Sequence, residues 1–339
     1  MSSSVKQRES NIELLRLLAM VLVVALHVNG LSLGYPTVKE YDSNHISVFF
    51  KLLFDSLSVV CVDVFVLISG WFGINPNKKR FLSFIYQCLF FSLGLYFVIS
   101  LFSGSTIKPN LLFRNIILVD YWYVPSYIGL YLLSPVLNIF VENSTQKQFG
   151  CIVVGLFFLE TLYGWKFEVA GFNSGYSIVH FLLLYLIARY IRIYSFRLKK
   201  IPIACDFLLY LILSVFSAVL GLLFLKHGSD NYVFIFADHS SPITILASIF
   251  LFLAFSKIKL NNSKVLNYLA SSAFSIYLFH LHPMVLPKFM EMSRTLYFNN
   301  DLLHYSYKIL LFILSISILS ILIDQLRKFT WKILQSVKK

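Results

Sequence analysis

The sequence predicts an all-α membrane protein, a polytopic transmembrane bundle of about ten spans with both termini in the cytoplasm. Of its 339 residues, 58% are hydrophobic and only 13% are charged, whereas soluble chains average about 25% charged residues. Apolar runs of membrane-spanning length alternate with polar breaks. Most of the 29 lysines and arginines fall in alternate loops, a pattern typical of cytoplasmic loops in membrane proteins.

The apolar runs define the predicted helices. In chain order they are 12–33, 47–73, 81–103, 121–141, 149–163, 178–195, 203–225, 242–257, 265–289 and 308–323. Most have the roughly 17 to 25 residues that an α-helix needs to cross the bilayer core. The runs at 149–163 and 242–257 are short for a full crossing, which leaves the count open by one or two. The loops 104–120, 164–177, 226–241 and 290–307 are expected on the outer side.

The first run is expected to be a retained helix. It follows the polar segment Met1–Ser10, is long for the hydrophobic part of a signal peptide, and lacks a convincing small-residue cleavage site. The chain, 1–339, is therefore predicted to be a single integral-membrane domain of the cytoplasmic (inner) membrane, surrounded by lipid.

The net charge of +13 does not indicate nucleic-acid binding, because the basic residues are dispersed through short loops rather than clustered on a soluble face. Attraction to an anionic inner leaflet accounts for most of them. The run Lys78-Lys79-Arg80 is compact enough to hold a phosphate group near the membrane surface. The four cysteines lie in or beside predicted spans without metal-ligand spacing, so neither a disulfide nor a zinc site is expected.

The first helix carries three ionisable residues. Arg16 and His27 bracket ten apolar residues, and eleven positions of an α-helix make three turns plus roughly 20°. Both side chains therefore project from one face, about 16 Å apart along the axis, with Glu13 within roughly 60° of that line. Ionisable groups inside a span are costly and usually face a cavity or a partner. This stripe is the leading candidate for a functional site.

Several motifs, in order, resemble those of the integral-membrane acyltransferase 3 family. They are Asn11–Arg16 (NIELLR) with His27 after ten residues, Val62–Trp71 (VDVFVLISGW), Trp122-Tyr123 opening the fourth span, and Ser275–His280 (SIYLFH) in the ninth. The resemblance covers nearly the whole chain. Two departures stand out: Arg80 is followed by Ser83 where relatives often have a second arginine, and Glu13 stands where many have Asp. Lys78 and Lys79 are possible substitutes for the missing arginine.

The resemblance implies transfer of an acyl group, with acetyl as the first expectation, from cytoplasmic acyl-CoA. The implied acceptor is a hydroxyl of a cell-surface polysaccharide or its lipid-linked precursor. Acetyl-CoA is then the donor, no metal is needed, and a homo-oligomer stays open. The predicted catalytic residues are His27, Glu13 and Arg16; the donor-binding residues are Arg16, Ser69, Gly70, Lys78, Lys79 and Arg80; the acceptor-binding residues are Asp63, Trp122, Tyr277 and His280.

Helix geometry supports His27 as the base. His is the side chain whose unperturbed pKa suits proton transfer near neutral pH. Counted from residue 12, His27 lies roughly 22 Å into a core about 30 Å thick, hence in the outer half. His280 comes out at a similar depth. His282 is about 200° from His280 and is expected to face elsewhere.

The residues leave alternatives open. Arg16 suits donor binding or an ion pair with Glu13 or Asp63, since buried charges are normally paired. Ser69 and Gly70 suit a tunnel lining or close helix packing. Tyr277 and His280 suit the site or interfacial anchoring.

Two other functions also fit the sequence. A transporter or flippase of lipid-linked sugars would use Asp55, Asp63 and the histidines as coupling groups. A catalytically silent partner in a polysaccharide assembly complex is the third possibility.

Overall fold

The structure, a computed structural model, describes residues 8–195, 198–229, 238–300 and 302–336. Over these residues it is helical and contains no strand, which confirms the all-α class. The α-helices are α1 (Ser10–His27), α2 (Val38–Ser58), α3 (Cys61–Phe72), α4 (Lys78–Ser103), α5 (Pro109–Ile117), α6 (Tyr123–Asn143), α7 (Gln146–Leu159), α8 (Ile178–Tyr194), α9 (Ile203–Lys226), α10 (Pro242–Lys257), α11 (Lys264–Ala270), α12 (Phe274–His280), α13 (Leu286–Phe298) and α14 (Leu302–Ser336).

Seven helical segments of the described chain are long and apolar enough to cross a membrane, which supports a multi-pass membrane protein. They are Ser10–Leu33, Val38–Phe72, Lys78–Ser103, Tyr123–Asn143, Gln146–Lys166, Ile203–Lys226 and Leu303–Ser336. Two of them include a π-helical turn, Val28–Leu33 after α1 and Glu160–Lys166 after α7. The apolar helix α10 has only 16 residues, and α8 has 17.

Two predicted helices are not continuous. The run 265–289 is divided into α11, α12 and the start of α13, with turns after Ala270 and His280. Pro283 lies in the second break, where it disfavours a continuing helix, and Pro287 lies in the first turn of α13, where a proline is tolerated. The run 47–73 begins earlier than predicted, at Val38, because Thr37 and Glu40 form a capping box there.

The same run is also interrupted between α2 and α3. The hydroxyl of Tyr210 donates to the carbonyl of Leu57 at 2.7 Å. That carbonyl would otherwise accept from the backbone N–H of Cys61 in a regular α-helix. A hydrogen bond from Tyr210 of α9 thus accompanies the break, and the next helix, α3, begins at Cys61.

Helix α3 lies at the centre of the bundle, packed against α1, α8 and α10. From Cys61 to Trp71 only Phe65 and Ser69 are partly exposed, and both belong to one face four residues apart. On another face, a Cβ at Gly70 would stand 2.6 Å from the carbonyl oxygen of Tyr185 and 2.9 Å from Cβ of Ala188. The glycine therefore permits close contact between α3 and α8.

Candidate active site

A pair of histidines joins α1 to α12. His27 is the last residue of α1 and His280 the last of α12, and Nδ1 of His27 lies 2.9 Å from Nε2 of His280. His280 is fully buried, and its Nδ1 lies 2.5 Å from the carbonyl oxygen of Ile276. Two residues that the sequence places at similar depth are thus in direct contact.

The hydrogen bonds allow an assignment of the protons on this pair. A carbonyl only accepts, so Nδ1 of His280 carries a proton and donates to Ile276. In neutral His280 the other nitrogen, Nε2, is then an acceptor, and Nδ1–H of His27 donates to it. We therefore assign the lone pair of His27 to Nε2. That nitrogen is the one that can take a proton from a substrate.

A second buried cluster surrounds Asp63 on α3. Its Oδ1 lies 3.1 Å from Nε2 of His180 and 3.7 Å from Nδ1 of His239, and its Oδ2 lies 3.4 Å from Oγ of Ser248. On the far side of the ring, Nδ1 of His180 lies 3.3 Å from Oε1 of Glu160. One imidazole thus lies between two carboxylates, an arrangement that offsets charges which would be costly if buried alone.

Sequence reasoning missed three ionisable members of this cluster, Glu160, His180 and His239, and the polar residue Ser248. A signal existed for two of them, since Glu160 interrupts the apolar run 149–163 and His180 lies inside the run 178–195. The structure gives Asp63, predicted to bind the acceptor, protein partners instead; its acceptor role stays a prediction.

Aromatic rings lie beside the cluster. The ring centroid of Trp122 is 4.5 Å from that of Tyr176 and 6.1 Å from that of His239. Tyr277 is buried, and its hydroxyl accepts a hydrogen bond from the backbone N–H of Tyr123 at 3.3 Å. Trp122 precedes Tyr123 in the chain, and Tyr277 shares the short helix α12 with His280. Trp122, His239 and the histidine pair therefore belong to one region, which we call the dyad end of the bundle.

Two loop residues at this end have perturbed protonation. Burial lowers the pKa of His239 to about 4, although the Asp63 carboxylate opposes the shift. Burial raises the pKa of Asp238 to about 7, against a side-chain hydrogen bond from Ser174. Both residues are thus biased toward their neutral forms.

Arg16 lies about 16 Å along α1 from His27, at what we call the arginine end. Its Nη1 is 3.7 Å from Oε2 of Glu13, which is also 3.7 Å from Nη1 of Arg8. The guanidinium carbon of Arg16 lies 6.0 Å from the ring centroid of Phe65. Of the two acids considered as its partner, Glu13 is the one in contact.

The remaining predicted donor-binding residues lie at or beyond the arginine end. Ser69 belongs to the partly exposed face of α3 with Phe65, whereas Gly70 packs against α8. Lys78, Lys79 and Arg80 form the exposed first turn of α4, where the Asn77 side chain accepts from the last two backbone N–H groups.

Within the described residues, the predicted site residues fall into three groups along the bundle. His27, His280, Trp122, Tyr277 and Asp63 belong to the dyad end; Glu13, Arg16, Ser69 and Gly70 to the arginine end; and Lys78, Lys79 and Arg80 to the adjoining surface. No three His, Cys, Asp or Glu side chains in this part of the chain are arranged to hold a metal ion.

The model of the acyltransferase 3 family, described as an acyltransferase domain, matches residues 9–324. No curated protein and no solved structure matches the chain.

Proposed function

The chain belongs to the acyltransferase 3 family and is a multi-pass membrane acyltransferase, and from this premise we propose its donor and acceptor. The donor is cytoplasmic acyl-CoA, with acetyl-CoA as the simplest choice. The acceptor is a hydroxyl of a surface polysaccharide or of its lipid-linked precursor. The observation that carries the proposal is the contact of His27 Nδ1 with His280 Nε2, which leaves His27 Nε2 as a free base.

In the proposed transfer, His27 carries one proton from the acceptor hydroxyl to the leaving thiolate. His27 Nε2 removes the proton of the acceptor hydroxyl while the oxygen attacks the thioester carbonyl carbon. The carbon–sulfur bond then breaks, and His27 gives this proton to the coenzyme A thiolate. His280 holds the His27 ring in position throughout, as a positioning residue in contact with the base.

The length of the bundle suits a donor that enters from the arginine end. Coenzyme A has about 13 bonds between its sulfur and its first phosphorus, which at roughly 3.4 Å per three bonds of extended chain span about 15 Å. Arg16 and His27 are about 16 Å apart along α1. A thioester at His27 therefore places the diphosphate at the level of Arg16, with Phe65 and Ser69 along the path.

Charges farther along the surface suit the rest of the donor. Lys78, Lys79 and Arg80 lie a few residues beyond α3 and are exposed. Lys78 and Lys79 also line a groove of about 600 Å³ with Trp331 and Lys332. We assign the 3′-phosphate of coenzyme A to this basic turn, because Lys binds phosphate as a point charge.

The acceptor is assigned to the dyad end. Trp122 and Tyr176 offer aromatic faces there, and Tyr277 and His280 border the base. Asp63 then acts on the acceptor through His239, which it contacts at 3.7 Å, rather than by direct binding.

We also propose a topology of ten spans. The seven long segments would be joined as crossings by α8, α10 and the segmented run α11–α13, giving ten spans with both termini on the cytoplasmic side. The distribution of Lys and Arg supports this orientation. Because acyl-CoA is cytoplasmic, the protein would lie in the inner membrane.

Replacing His27 with Gln tests the function. We expect acylation of the host's surface glycan, measured by mass spectrometry, to fall by about 10²–10⁴-fold, as for loss of a general base. The exposed His45, replaced in the same way, is the control and should leave the ester content unchanged. Near-normal ester content in the His27 variant would contradict the proposal.

A further inference from the structure

Arg189 on α8 has no ion-pair partner among the described residues. Its Nε is buried and has no hydrogen-bond partner, and no described carboxylate pairs with it. Leaving a buried charged donor unpaired costs more than leaving a neutral one unpaired. A guanidinium held in this way is suited to an anionic ligand, since its planar N–H groups match phosphate oxygens.

The surroundings of Arg189 hold it against the end of α3. Its Nη1 would lie 3.2 Å from a Cβ at Gly73, and Gly73 has a φ of +74°, which a side chain would strain. The segment after Gly73 is fixed because the hydroxyl of Tyr185 accepts from the backbone N–H of Ile74 at 3.1 Å. Backbone and guanidinium are thus in close contact without a side chain between them.

Arg192, one turn further along α8, adds a second guanidinium, and its Nη2 lies 4.0 Å from Oε1 of Glu9. Its Nη1 donates to the carbonyl of Trp71 at 3.0 Å, and its guanidinium carbon lies 4.8 Å from the Trp71 ring centroid. On α1, Nε of Arg16 is also buried without a hydrogen-bond partner, while its Nη1 lies 3.7 Å from Oε2 of Glu13. Two arginines of α8 therefore lie against the end of α3, and Arg16 of α1 lies 6.0 Å from the ring of Phe65 on the same helix.

The distance along α3 suits the diphosphate group of coenzyme A. Gly73 is ten residues from Asp63, or about 15 Å along a helix, and Asp63 belongs to the dyad end. An extended pantetheine arm spans about the same length. We propose that Arg189 of α8, with Arg192 beside it, joins Arg16 of α1 in binding the diphosphate of the acyl-CoA donor. This inference rests on the proposed function, and it separates the diphosphate from the 3′-phosphate assigned to Lys78, Lys79 and Arg80.

Calorimetry on the purified full chain, with three ligands, tests this assignment. Arg189→Ala should weaken binding of coenzyme A and of 3′-dephospho-coenzyme A by tenfold or more, but leave pantetheine, which has no phosphate, unchanged. Arg189→Lys should lose less affinity for both ligands than Arg189→Ala. Replacing Lys78, Lys79 and Arg80 together with Gln should weaken the binding of coenzyme A but not of dephospho-coenzyme A, which lacks the 3′-phosphate that these residues bind.

Arg114→Ala is the matched control, since Arg114 is exposed and pairs with Asp120 far along the chain from this site. Wild-type affinity of Arg189→Ala for dephospho-coenzyme A would overturn the inference and leave the proposed function standing. An equal loss for pantetheine would also overturn it, by showing a structural role. Failure of the wild-type protein to bind coenzyme A would instead overturn the proposed function.

Discussion

Replacing His280 with Phe tests whether the histidine pair orients the base. Phe keeps an aromatic ring beside Phe289, whose centroid is 5.4 Å from that of His280. It removes the acceptor that lies 2.9 Å from Nδ1 of His27. His27 then has no partner to fix its ring or its tautomer, while its own nitrogen atoms remain intact.

The expected loss follows from the hydrogen bond. A buried donor left without an acceptor costs about 1–3 kcal/mol. If that cost opposes the productive orientation of His27, the rate falls roughly 5- to 160-fold, at about 1.4 kcal/mol per factor of ten. Removing the base itself costs more, about 10²–10⁴-fold. His280→Phe should therefore retain more activity than His27→Gln.

The assay is acetyl transfer to host glycan, measured per folded molecule for the single variants and the double variant. Because His280 acts only through His27, the double variant should be no worse than His27→Gln alone. His282→Phe is the control: His282 is also buried, but its Nε2 lies 3.0 Å from the carbonyl of Ser92, away from the pair. We expect it to alter stability and not the transfer rate.

Wild-type activity of His280→Phe would refute this account of the base. So would a double variant whose loss equals the product of the two single losses, because that result means independent roles.

Three further predictions concern packing, protonation and topology. Gly70→Ala should destabilise the protein in detergent by about 1–3 kcal/mol, because the added methyl group overpacks against Tyr185. The control Gly94→Ala has nothing within 4 Å of its Cβ position and should be neutral or stabilising. Equal shifts in melting temperature for the two variants would contradict the α3–α8 contact. Burial raises the pKa of Asp238 from 3.8 to about 7; between these pH values the folded protein keeps a proton that the unfolded chain has lost, so its stability should fall as the pH rises. Asp238→Asn should flatten this dependence of stability on pH. An unchanged dependence would mean that other groups cause it. To test the topology, Cys151 and Cys205 are first replaced by Ser. Single cysteines introduced at Ser144 or Ser263 should then react with an impermeant thiol reagent only from the cytoplasm, and those at Ser229 or Asn299 only from outside. Labelling of positions 144 and 229 from the same side would rule out ten spans.

Helix periodicity was sufficient for part of the candidate site. Arg16 and His27 share one helix, so their spacing and common face follow from sequence, and the all-α class follows from composition. The depth argument also placed His280 level with His27, although the 2.9 Å contact itself needed the structure.

The rest depends on contacts between distant segments. The cluster of Asp63, His180 and Glu160 joins three helical elements, and no local pattern pairs them. The break after Ser58 accompanies a hydroxyl from α9, and the role of Gly70 depends on which helix lies opposite. Such features arise from packing, which a one-dimensional hydrophobic pattern does not encode.

The most direct test of the central claim is a reconstitution. The purified protein in lipid vesicles is given acetyl-CoA labelled in the acetyl group together with a lipid-linked sugar extracted from the host membrane. We expect label to appear on the sugar with wild-type protein and to be lost with His27→Gln, which should still bind coenzyme A. Movement of the sugar across the vesicle without transfer of label or binding of acetyl-CoA would contradict the account and favour a flippase.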